Sequence, residues 1–450
     1  RDLQLRQHLG YEQIPSVASL RLLGLPICSG MRAGLLRNRW RFHRNTQMSG
    51  VVAEDTLRRG LKAIDETSGV QWLSGHIGHT VLGVLDAPWI LDADVTVKPL
   101  YGKQQGAVVG YNPHKPGRPS HAYHSYQVSG LRLMLGVDVL AGNQSHANHT
   151  LPGLLRILDG LAPHQRPQLV RGDAGLAGEP MFKALEDRGQ RYLFKLRLTR
   201  NVKRYIKQRF WEQGWNPAGQ GWEGKDGELK LDGWSRTRRV IVLRRPFSGE
   251  ALLADESQGV LDFVELNVAA KRYEYAVLVT DLNHELLTIA QLYRDRADSE
   301  NTFDEFKNQW GWGGFTTRDL ARCRLSASAV ALIYNWWSLF VRLGNPKVRM
   351  EAITSRPFLL SAVARQTTHG GARHLTITSQ HAEADKAKVL LTAIHALIDK
   401  FKSAAEQFKV KSVWQLVCEH IVATVARFRR KIVLPLAPPT PILSTVNCCF

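Results

Sequence analysis

The sequence has few cysteines and no long apolar run. The spacing of its cysteines fits neither a metal-binding pattern nor a framework of disulfides, and these residues are Cys28, Cys323, Cys418, Cys448 and Cys449. No uninterrupted apolar stretch reaches the roughly 18 residues that a membrane helix needs. These absences argue against a disulfide scaffold and an integral membrane protein, and they favour the reducing environment of the cytoplasm.

The N-terminus also lacks a secretory signal, in which basic, apolar and small residues follow in order. The chain begins with Arg1 rather than Met, so an incomplete or processed N-terminus is one expectation. With 450 residues, the chain is too long for one compact core and predicts roughly two to four domains.

Acidic residues are scarce relative to basic ones. The sequence has 60 Lys and Arg against 40 Asp and Glu, a formal net charge of +20. A positive field of this size favours a polyanionic partner such as nucleic acid. A ribosome-associated protein, or one that is merely basic, has the same balance, so charge alone leaves these alternatives open.

From Trp89 onward, strand-like and helix-like patterns alternate. Strands are predicted over 89–97, 106–111, 122–129, 131–140, 168–171 and 191–196, and helices over 149–160 and 179–188. This order resembles the ribonuclease H-like fold, so we expect an α/β protein with a mixed β-sheet flanked by helices.

The most specific pattern lies on a helix predicted from about residue 285 to 310. Its polar residues follow the spacing Tyr-x2-Arg-x3-Glu-x6-Lys, as Tyr293, Arg296, Glu300 and Lys307. On one straight helix these positions fall within an arc of about 60°. One face would then present a carboxylate beside cations and a phenol, which suits a metal ion and neighbouring phosphates. A solvated face with an Arg296–Glu300 ion pair is the alternative.

Two aspartates come at or just after predicted strands. Asp94 stands in Asp-Val-Thr, and Asp173 stands in Arg-Gly-Asp-Ala-Gly. Asp92 precedes Asp94 by two residues, shares its face of the strand and is the alternative first carboxylate. Asp281 follows the strand predicted at 275–280, and we expect it to be a turn or helix-cap residue.

These patterns resemble the bacterial insertion-sequence DDE transposases that carry the Y-R-E-K signature. The helix spacing matches that signature, and Asp94 with Thr96 is similar to the family's Asp-x-Thr, which favours Asp94 over Asp92. Asp173 resembles the second aspartate. The segments Val-Lys-Pro-Leu-Tyr-Gly-Lys-Gln-Gln-Gly-Ala and Gly-Tyr-Asn-Pro-His-Lys-Pro-Gly-Arg-Pro-Ser-His are also similar to this group. The resemblance covers roughly residues 54–430.

The resemblance implies a transposase that cleaves and joins phosphodiester bonds at insertion-sequence ends by a cut-and-paste route. It implies two Mg²⁺ ions, for which Mn²⁺ can substitute, and oxygen ligands suit such ions. The implied catalytic and metal-binding residues are Asp94, Asp173 and Glu300. The implied contacts to phosphates of the transposon end are Tyr293, Arg296 and Lys307.

The implied partners are double-stranded DNA, both terminal inverted repeats and target, and a second copy of the chain in a homodimer, with no membrane. The expected location is the bacterial cytoplasm, in association with the nucleoid. A decayed or truncated relative that only binds DNA is the alternative function. A ribonuclease H-like nuclease of another pathway is a third, and the Y-R-E-K spacing argues against it.

Five regions are expected along the chain. Residues 1–85 form a mainly helical DNA-binding region, for which truncation is one expectation, and 86–198 form the first part of the ribonuclease H-like catalytic core. Residues 199–272 form a β-rich insertion, because tryptophans, glycines and short alternating runs are frequent there. Residues 273–345 complete the core with the glutamate-bearing helix, and 346–450 form a helical C-terminal region.

Two other groups of residues are candidates for DNA contact. The loop 112–118 is basic and stiffened by proline, so we expect Lys115 and Arg118 to touch the DNA backbone, with a solvated turn as the alternative. The resemblance implies that an aromatic residue of the insertion holds a base flipped from the DNA end, which forms a hairpin. The candidates are Trp211, Trp215, Trp222 and Trp234, and packing within a hairpin core is the alternative for each.

Histidines near this loop suggest a metal site only weakly. No further ligands at suitable spacing accompany them, so we expect surface histidines at positions His114, His121 and His124.

Overall fold

The structure is a computed structural model that describes residues 54–112, 115–144, 146–246, 273–314, 317–360, 364–369, 372–377, 383–408 and 413–428. Residues 1–53 of the expected DNA-binding region and 247–272 of the insertion therefore lie outside the described residues. The helices are α1 Glu54–Ala63, α2 Glu66–Val81, α3 His146–Gly160, α4 Glu179–Glu186, α5 Arg200–Phe210, α6 Leu286–Arg294, α7 Ala297–Asn308, α8 Leu320–Gly344, α9 Ala352–Leu360, α10 Ala384–Phe408 and α11 Val413–Phe428.

The strands form one large mixed sheet and one separate hairpin. The large sheet contains β1 Ile90–Pro99, β2 Val108–Val109, β3 Pro119–Val128, β4 Leu133–Ala141, β5 Leu169–Gly172, β6 Tyr192–Lys195, β7 Asn216–Gly219, β8 Trp222–Leu229, β9 Arg238–Pro246 and β10 Tyr273–Thr280. The hairpin pairs β11 Ala364–His369 with β12 Ala372–Ile377.

Strand β1 lies inside the large sheet, with antiparallel and parallel neighbours on opposite sides. It pairs antiparallel with β3, which pairs antiparallel with β4. On its other side β1 pairs parallel with β5, and β5 pairs parallel with β6. This arrangement confirms the mixed-sheet α/β fold expected from the sequence.

The strands of the expected insertion continue this sheet. β10 pairs antiparallel with both β6 and β9, and β8 and β7 extend the sheet beyond β9. Helix α5 also lies in the segment predicted to be β-rich. It buries Val202, Tyr205 and Ile206 at helical spacing, a signal that was present in the sequence.

Both faces of the sheet are covered, which explains why β1 is apolar on one face and polar on the other. Leu91 and Ala93 point into a core that includes Phe182 of α4 and Ile206 of α5. Asp92 and Asp94 alternate with them and therefore lie on the opposite face. On that face Ile289 of α6 packs against strands β5, β6, β9 and β10, and Phe306 of α7 packs with residues of β3, β4 and α8.

The helix predicted from about 285 to 310 is in fact two helices, α6 and α7. The chain turns between them, where the Arg296 amide donates to the Tyr293 carbonyl at 3.1 Å and the Ser299 amide donates to the Arg296 carbonyl at 2.8 Å. These bonds span three residues rather than four, so they tighten the chain at this point. The predicted arc of about 60° assumed one straight helix and does not apply across the break.

The region after α8, which was predicted to be helical, contains the helices α10 and α11. It also contains α9 and the β11–β12 hairpin, and neither of these two elements was predicted from the sequence. Within the part of the chain that the structure describes, no helix combines the length and the apolar character needed to cross a bilayer.

Candidate active site

Asp94 and Asp173 lie beside each other on neighbouring parallel strands. The β1–β5 register pairs Asp92 with Arg171, and two further residues along each strand bring Asp94 level with Asp173, which follows β5 directly. Parallel strands are about 5 Å apart, and both aspartates lie on the polar face. Asp173 is held in a tight turn, because its Oδ1 accepts a hydrogen bond from the Gly175 amide at 2.9 Å.

Asp94 has a buried carboxyl group, and each of its two oxygens accepts a hydrogen bond. It is 5% exposed, its Oδ1 accepts from the Val95 amide at 2.8 Å, and its Oδ2 accepts from Arg296 Nη1 at 2.6 Å. Burial raises the pKa of Asp94 to about 6; the charge of Asp173 acts in the same direction, and Arg296 opposes the shift. Ionised Asp94 therefore destabilises the folded state, and carboxyls with such perturbed pKa values are frequent at functional sites.

Arg296 bridges Asp94 and Glu300. Its Nη2 lies 4.0 Å from Glu300 Oε1, while the Glu300 side chain is 74% exposed. Because one guanidinium only about 2 Å across reaches both groups, the two carboxylates are separated by at most about 9 Å. Glu300 is therefore near the aspartates but turned towards solvent.

The structure does not bring the three predicted carboxylates to one point. Within the described ranges, no three His, Cys, Asp or Glu side chains lie close enough together to hold a metal ion. Asp94 and Asp173 are neighbours, whereas the Arg296 guanidinium stands between Asp94 and Glu300. A site built from all three requires Arg296 and Glu300 to move.

Tyr293 and Lys307 lie on the same side of the site. The Tyr293 ring centroid is 5.9 Å from the Arg296 guanidinium, and burial raises the pKa of its phenol to about 12, with the charges of Asp173 and Asp94 adding to the effect. Burial lowers the pKa of Lys307, and the charges of Asp304 and Asp94 oppose this shift. Arg296 thus contacts Asp94 directly, and Tyr293 and Lys307 lie close enough to interact with its charge, despite the helix break.

Asp92 has a different environment from Asp94. Its two oxygens accept from Arg171 Nε at 2.7 Å and Nη2 at 2.8 Å, and both side chains are fully buried. Arg171 also donates to the Leu292 carbonyl on α6 and to Ser129 Oγ. Asp92 is therefore part of an ion pair that joins β1, β5 and α6, which favours Asp94 as the site carboxylate.

Asp281 is also a structural residue. Its Oδ1 accepts from the Tyr192 amide at 2.8 Å, and Arg191 lies 3.5 Å from its Oδ2. It thus ties the end of β10 to the start of β6. Glu285, not Asp281, is the residue at the N-cap position of α6.

Lys115 and Arg118 gather around an exposed tyrosine. The Lys115 ammonium is 5.0 Å and the Arg118 guanidinium 4.8 Å from the Tyr101 ring centroid, and Lys115 Nζ donates to the Tyr101 hydroxyl. The Lys115 backbone amide donates to Asn112 Oδ1 at 3.1 Å. The side chains of Lys115 and Arg118 therefore both lie against the ring of Tyr101.

The prediction of surface histidines is wrong for two of the three positions, and His114 lies outside the described residues. His121 is 1% exposed and His124 is fully buried. His121 Nε2 lies 2.8 Å from the Gln105 carbonyl, and His124 Nδ1 lies 2.6 Å from Thr150 Oγ1. They are buried because β3 is an inner strand of the sheet, covered on both faces.

The insertion tryptophans differ in exposure. Trp234 is buried against Phe182, and Trp215 and Trp222 are partly buried beneath arginine guanidinium groups. Trp211 is 60% exposed and contacts Phe210 edge-on. Trp211 is thus the one of the four whose ring has the most area available for another partner.

Sequence reasoning missed His146 and Lys98. His146 is the first residue of α3, and its ring lies 6.0 Å from that of His124. Burial lowers the pKa of His146, the charge of Arg197 adds to this shift, and the charge of Asp94 opposes it. No sequence signal places it there. Lys98, by contrast, follows Asp94 by four residues on β1, so the two-residue period of a strand placed it on the same face.

A family model described as "Transposase DDE domain" matches residues 86–336, more than half of the chain. The chain therefore belongs to the transposase DDE domain family. Its α/β core is a transposase domain, in a family that acts in DNA transposition.

One solved structure that the chain resembles is the cryo-EM structure of a piggyBac transposase synaptic complex with hairpin DNA. The identity is 11%, the match covers 92% of this chain and 76% of that chain, and the TM-score is 0.38. No curated protein matches the sequence.

Proposed function

We propose that this protein is a DNA transposase that cleaves and joins phosphodiester bonds at insertion-sequence ends by a cut-and-paste route. The observation that carries the proposal is the position of Asp94 and Asp173, level with each other on adjacent strands, with Arg296 linking Asp94 to Glu300. These three carboxylates are the proposed catalytic residues.

Asp94 and Asp173 fit a divalent cation. They are neighbouring oxygen donors whose repulsion contributes to the raised pKa of Asp94, and a cation between them would relieve that repulsion. Mg²⁺ often takes one or two carboxylates and completes its shell with water and substrate phosphate. Asp94, Asp173 and, after rotation from solvent, Glu300 would hold two Mg²⁺ or Mn²⁺ ions, which when bound activate the attacking oxygen and stabilise the leaving one.

The cationic residues of the site bind and orient DNA in this proposal. Arg296 would exchange Asp94 for a phosphate, because a guanidinium fork binds carboxylates and phosphates with the same geometry. Lys307 adds a point charge on the same side, and Tyr293 supports the Arg296 guanidinium. Removal of Arg296 from Asp94 by DNA would also free an oxygen of Asp94.

Two surfaces would contact DNA away from the carboxylates. Lys115 and Arg118 would bind the backbone, since both cations lie on exposed Tyr101. Trp211 is the proposed residue for stacking on a flipped base, because its ring is 60% exposed. Joining of two terminal repeats to target DNA requires two active sites, so a homodimer on double-stranded DNA is part of the proposal.

The test is a cleavage assay with DNA that carries the element's terminal repeats, in the presence of Mg²⁺ or Mn²⁺. Asp94→Ala, Asp173→Ala and Glu300→Ala should each abolish cleavage while binding to the same DNA remains. Asp304→Ala is the matched control, because Asp304 is an exposed carboxylate one turn after Glu300 on α7 and should leave cleavage intact. Cleavage by Glu300→Ala at the control's rate would remove Glu300 from the site.

The alternative is a relative that binds DNA without cutting it. The exposure of Glu300 and the neutralisation of Asp94 by Arg296 favour this reading for the protein without DNA. The same assay separates the two functions. Specific binding of the terminal repeats by the unaltered protein, with no cleavage in either metal, would establish the alternative.

A further inference from the structure

A small cavity lies beside the polar face of β1, and Lys307 is the residue of its lining that already takes part in the function proposed above. Its volume is 140 Å³, and it lies where β1, the loop at residue 112 and the end of α7 meet. The side chains that matter for its chemistry are Thr96, Lys98, Asn112, Tyr123, Lys307 and Trp312.

The cavity is continuous with the polar face of β1. Asp94, Thr96 and Lys98 follow one another at intervals of two residues on one face of the strand, and each interval spans about 7 Å. The two latter residues line the cavity. Lys307 joins the cavity to the active site, because it lines the cavity and its ammonium also feels the charge of Asp94.

Two buried N–H groups of the lining lack an acceptor within the described part of the chain. Asn112 Nδ2 and Trp312 Nε1 have no hydrogen-bond partner, although their side chains are only 5% and 4% exposed. The side-chain amide of Asn112 is held in its orientation by the backbone N–H of Lys115, which donates to Asn112 Oδ1. Trp312 is fixed by stacking on Phe306, with ring centroids 4.2 Å apart. A buried donor without an acceptor is costly, so a bound acceptor is expected here.

The charge of the lining has one sign. Among the described residues, it includes the ammonium groups of Lys98 and Lys307 and no carboxylate. Lys98 is buried, with its Nζ 5.9 Å from the Tyr123 ring centroid. Burial lowers the pKa of Lys98 to about 8 and also lowers that of Lys307. An anion in the cavity would offset this cost.

We propose that this cavity binds a phosphate group and that, in the DNA complex, it holds a backbone phosphate next to the one that is cleaved. The donors are two ammonium groups and two N–H groups, a set that recognises the oxygens of an anion. A cavity of about 150 Å³ admits a benzene-sized molecule, so the space suits one phosphate rather than a whole nucleotide. The DNA part of this assignment rests on the proposed function, whereas anion binding does not.

The first experiment tests anion binding without DNA or metal. Inorganic phosphate is titrated into the protein while the indole N–H resonances are followed by NMR, and Trp312→Phe identifies the Trp312 signal. We expect this signal to shift saturably in the unaltered protein and the titration to weaken in Lys98→Met. A Trp312 signal that does not respond to phosphate would overturn the proposal.

The second experiment identifies the source of the phosphate. Binding of terminal-repeat DNA is measured by fluorescence anisotropy in EDTA, with a series of DNAs that each carry one uncharged methylphosphonate. Lys98→Met and Trp312→Phe should each weaken binding to unmodified DNA about tenfold or more, the size of a lost hydrogen bond to a charged group. Lys103→Met, an exposed lysine outside the cavity lining, is the control and should change binding little.

At one position of the series, the methylphosphonate should weaken DNA binding by the unaltered protein. The same modified DNA should bind Lys98→Met as well as unmodified DNA does, because the variant has already lost the contact to that phosphate. Binding of inorganic phosphate without any such position would overturn the DNA assignment and leave a site for free phosphate. Trp312→Phe keeps an aromatic ring in the stack on Phe306, and urea unfolding of both variants separates lost binding from lost folding. Because neither experiment requires cleavage, a catalytically inactive chain can still pass both.

Discussion

Removal of the Asp94 charge should make the metal-free protein more stable while it destroys activity. Asp94 is buried, and its pKa lies at about 6 in the folded chain against an ordinary value of 3.8 for an aspartate. Each pKa unit corresponds to about 1.4 kcal/mol, so ionised Asp94 costs the fold about 3 kcal/mol above pH 6. Asp94→Asn removes this cost and retains an oxygen that can accept from Arg296.

The pH dependence has a defined sign. A carboxyl whose pKa is raised on folding favours the folded state below its unfolded pKa, and this stability is lost as pH rises through the folded value. The advantage of Asp94→Asn should therefore be about 3 kcal/mol at pH 8, about half of that at pH 5 and absent below pH 3.8.

The assay is urea unfolding in EDTA at pH 8 and pH 5, with Asp304→Asn as the control. Exposed Asp304 should change the free energy of unfolding by less than about 0.5 kcal/mol. An Asp94→Asn variant no more stable than the unaltered protein at pH 8, or one whose advantage is equal at both pH values, would refute the reasoning.

Three other predictions follow from the same contacts. Asp92→Ala leaves the buried Arg171 guanidinium without its carboxylate and should destabilise the fold by about 3–5 kcal/mol; in urea unfolding, a loss below about 1 kcal/mol would contradict the role of the ion pair. Mg²⁺ should raise the unfolding midpoint of the unaltered protein and not of Asp94→Asn, as measured by thermal melts with and without EDTA; equal shifts would place the ion elsewhere. Trp211→Ala should slow hairpin formation at the DNA ends by about tenfold or more, since stacking is worth about 1–3 kcal/mol per base. Trp211→Phe should restore the rate, and an unaffected rate in Trp211→Ala would exclude this ring.

Much of the core was predictable because local patterns carry the information. The alternation along β1 put Asp92 and Asp94 on the face opposite Leu91 and Ala93, and Leu91 and Ala93 belong to the apolar core on their own face. The strand before Asp173 was predicted over 168–171 and is seen as β5, Leu169–Gly172. In each case the period of the apolar residues determines the element.

Other features depend on packing between distant segments. The break between α6 and α7 occurs without proline or glycine, where Arg171 of β5 binds the Leu292 carbonyl and Arg296 turns onto Asp94. The burial of His121 and His124 arises because both faces of β3 are covered. Neither effect has a local sequence signal.

The sequence by itself determined the strand that carries Asp94, the strand that precedes Asp173, and the positive charge that suits DNA, because these follow from periodicity and composition. Only the tertiary structure decided that Arg171 forms an ion pair with Asp92 and that Arg296 stands between Asp94 and Glu300. It also decided that Lys98, Asn112 and Trp312 line one cavity. These are contacts between segments far apart in the chain, and their geometry depends on how the helices pack on the sheet.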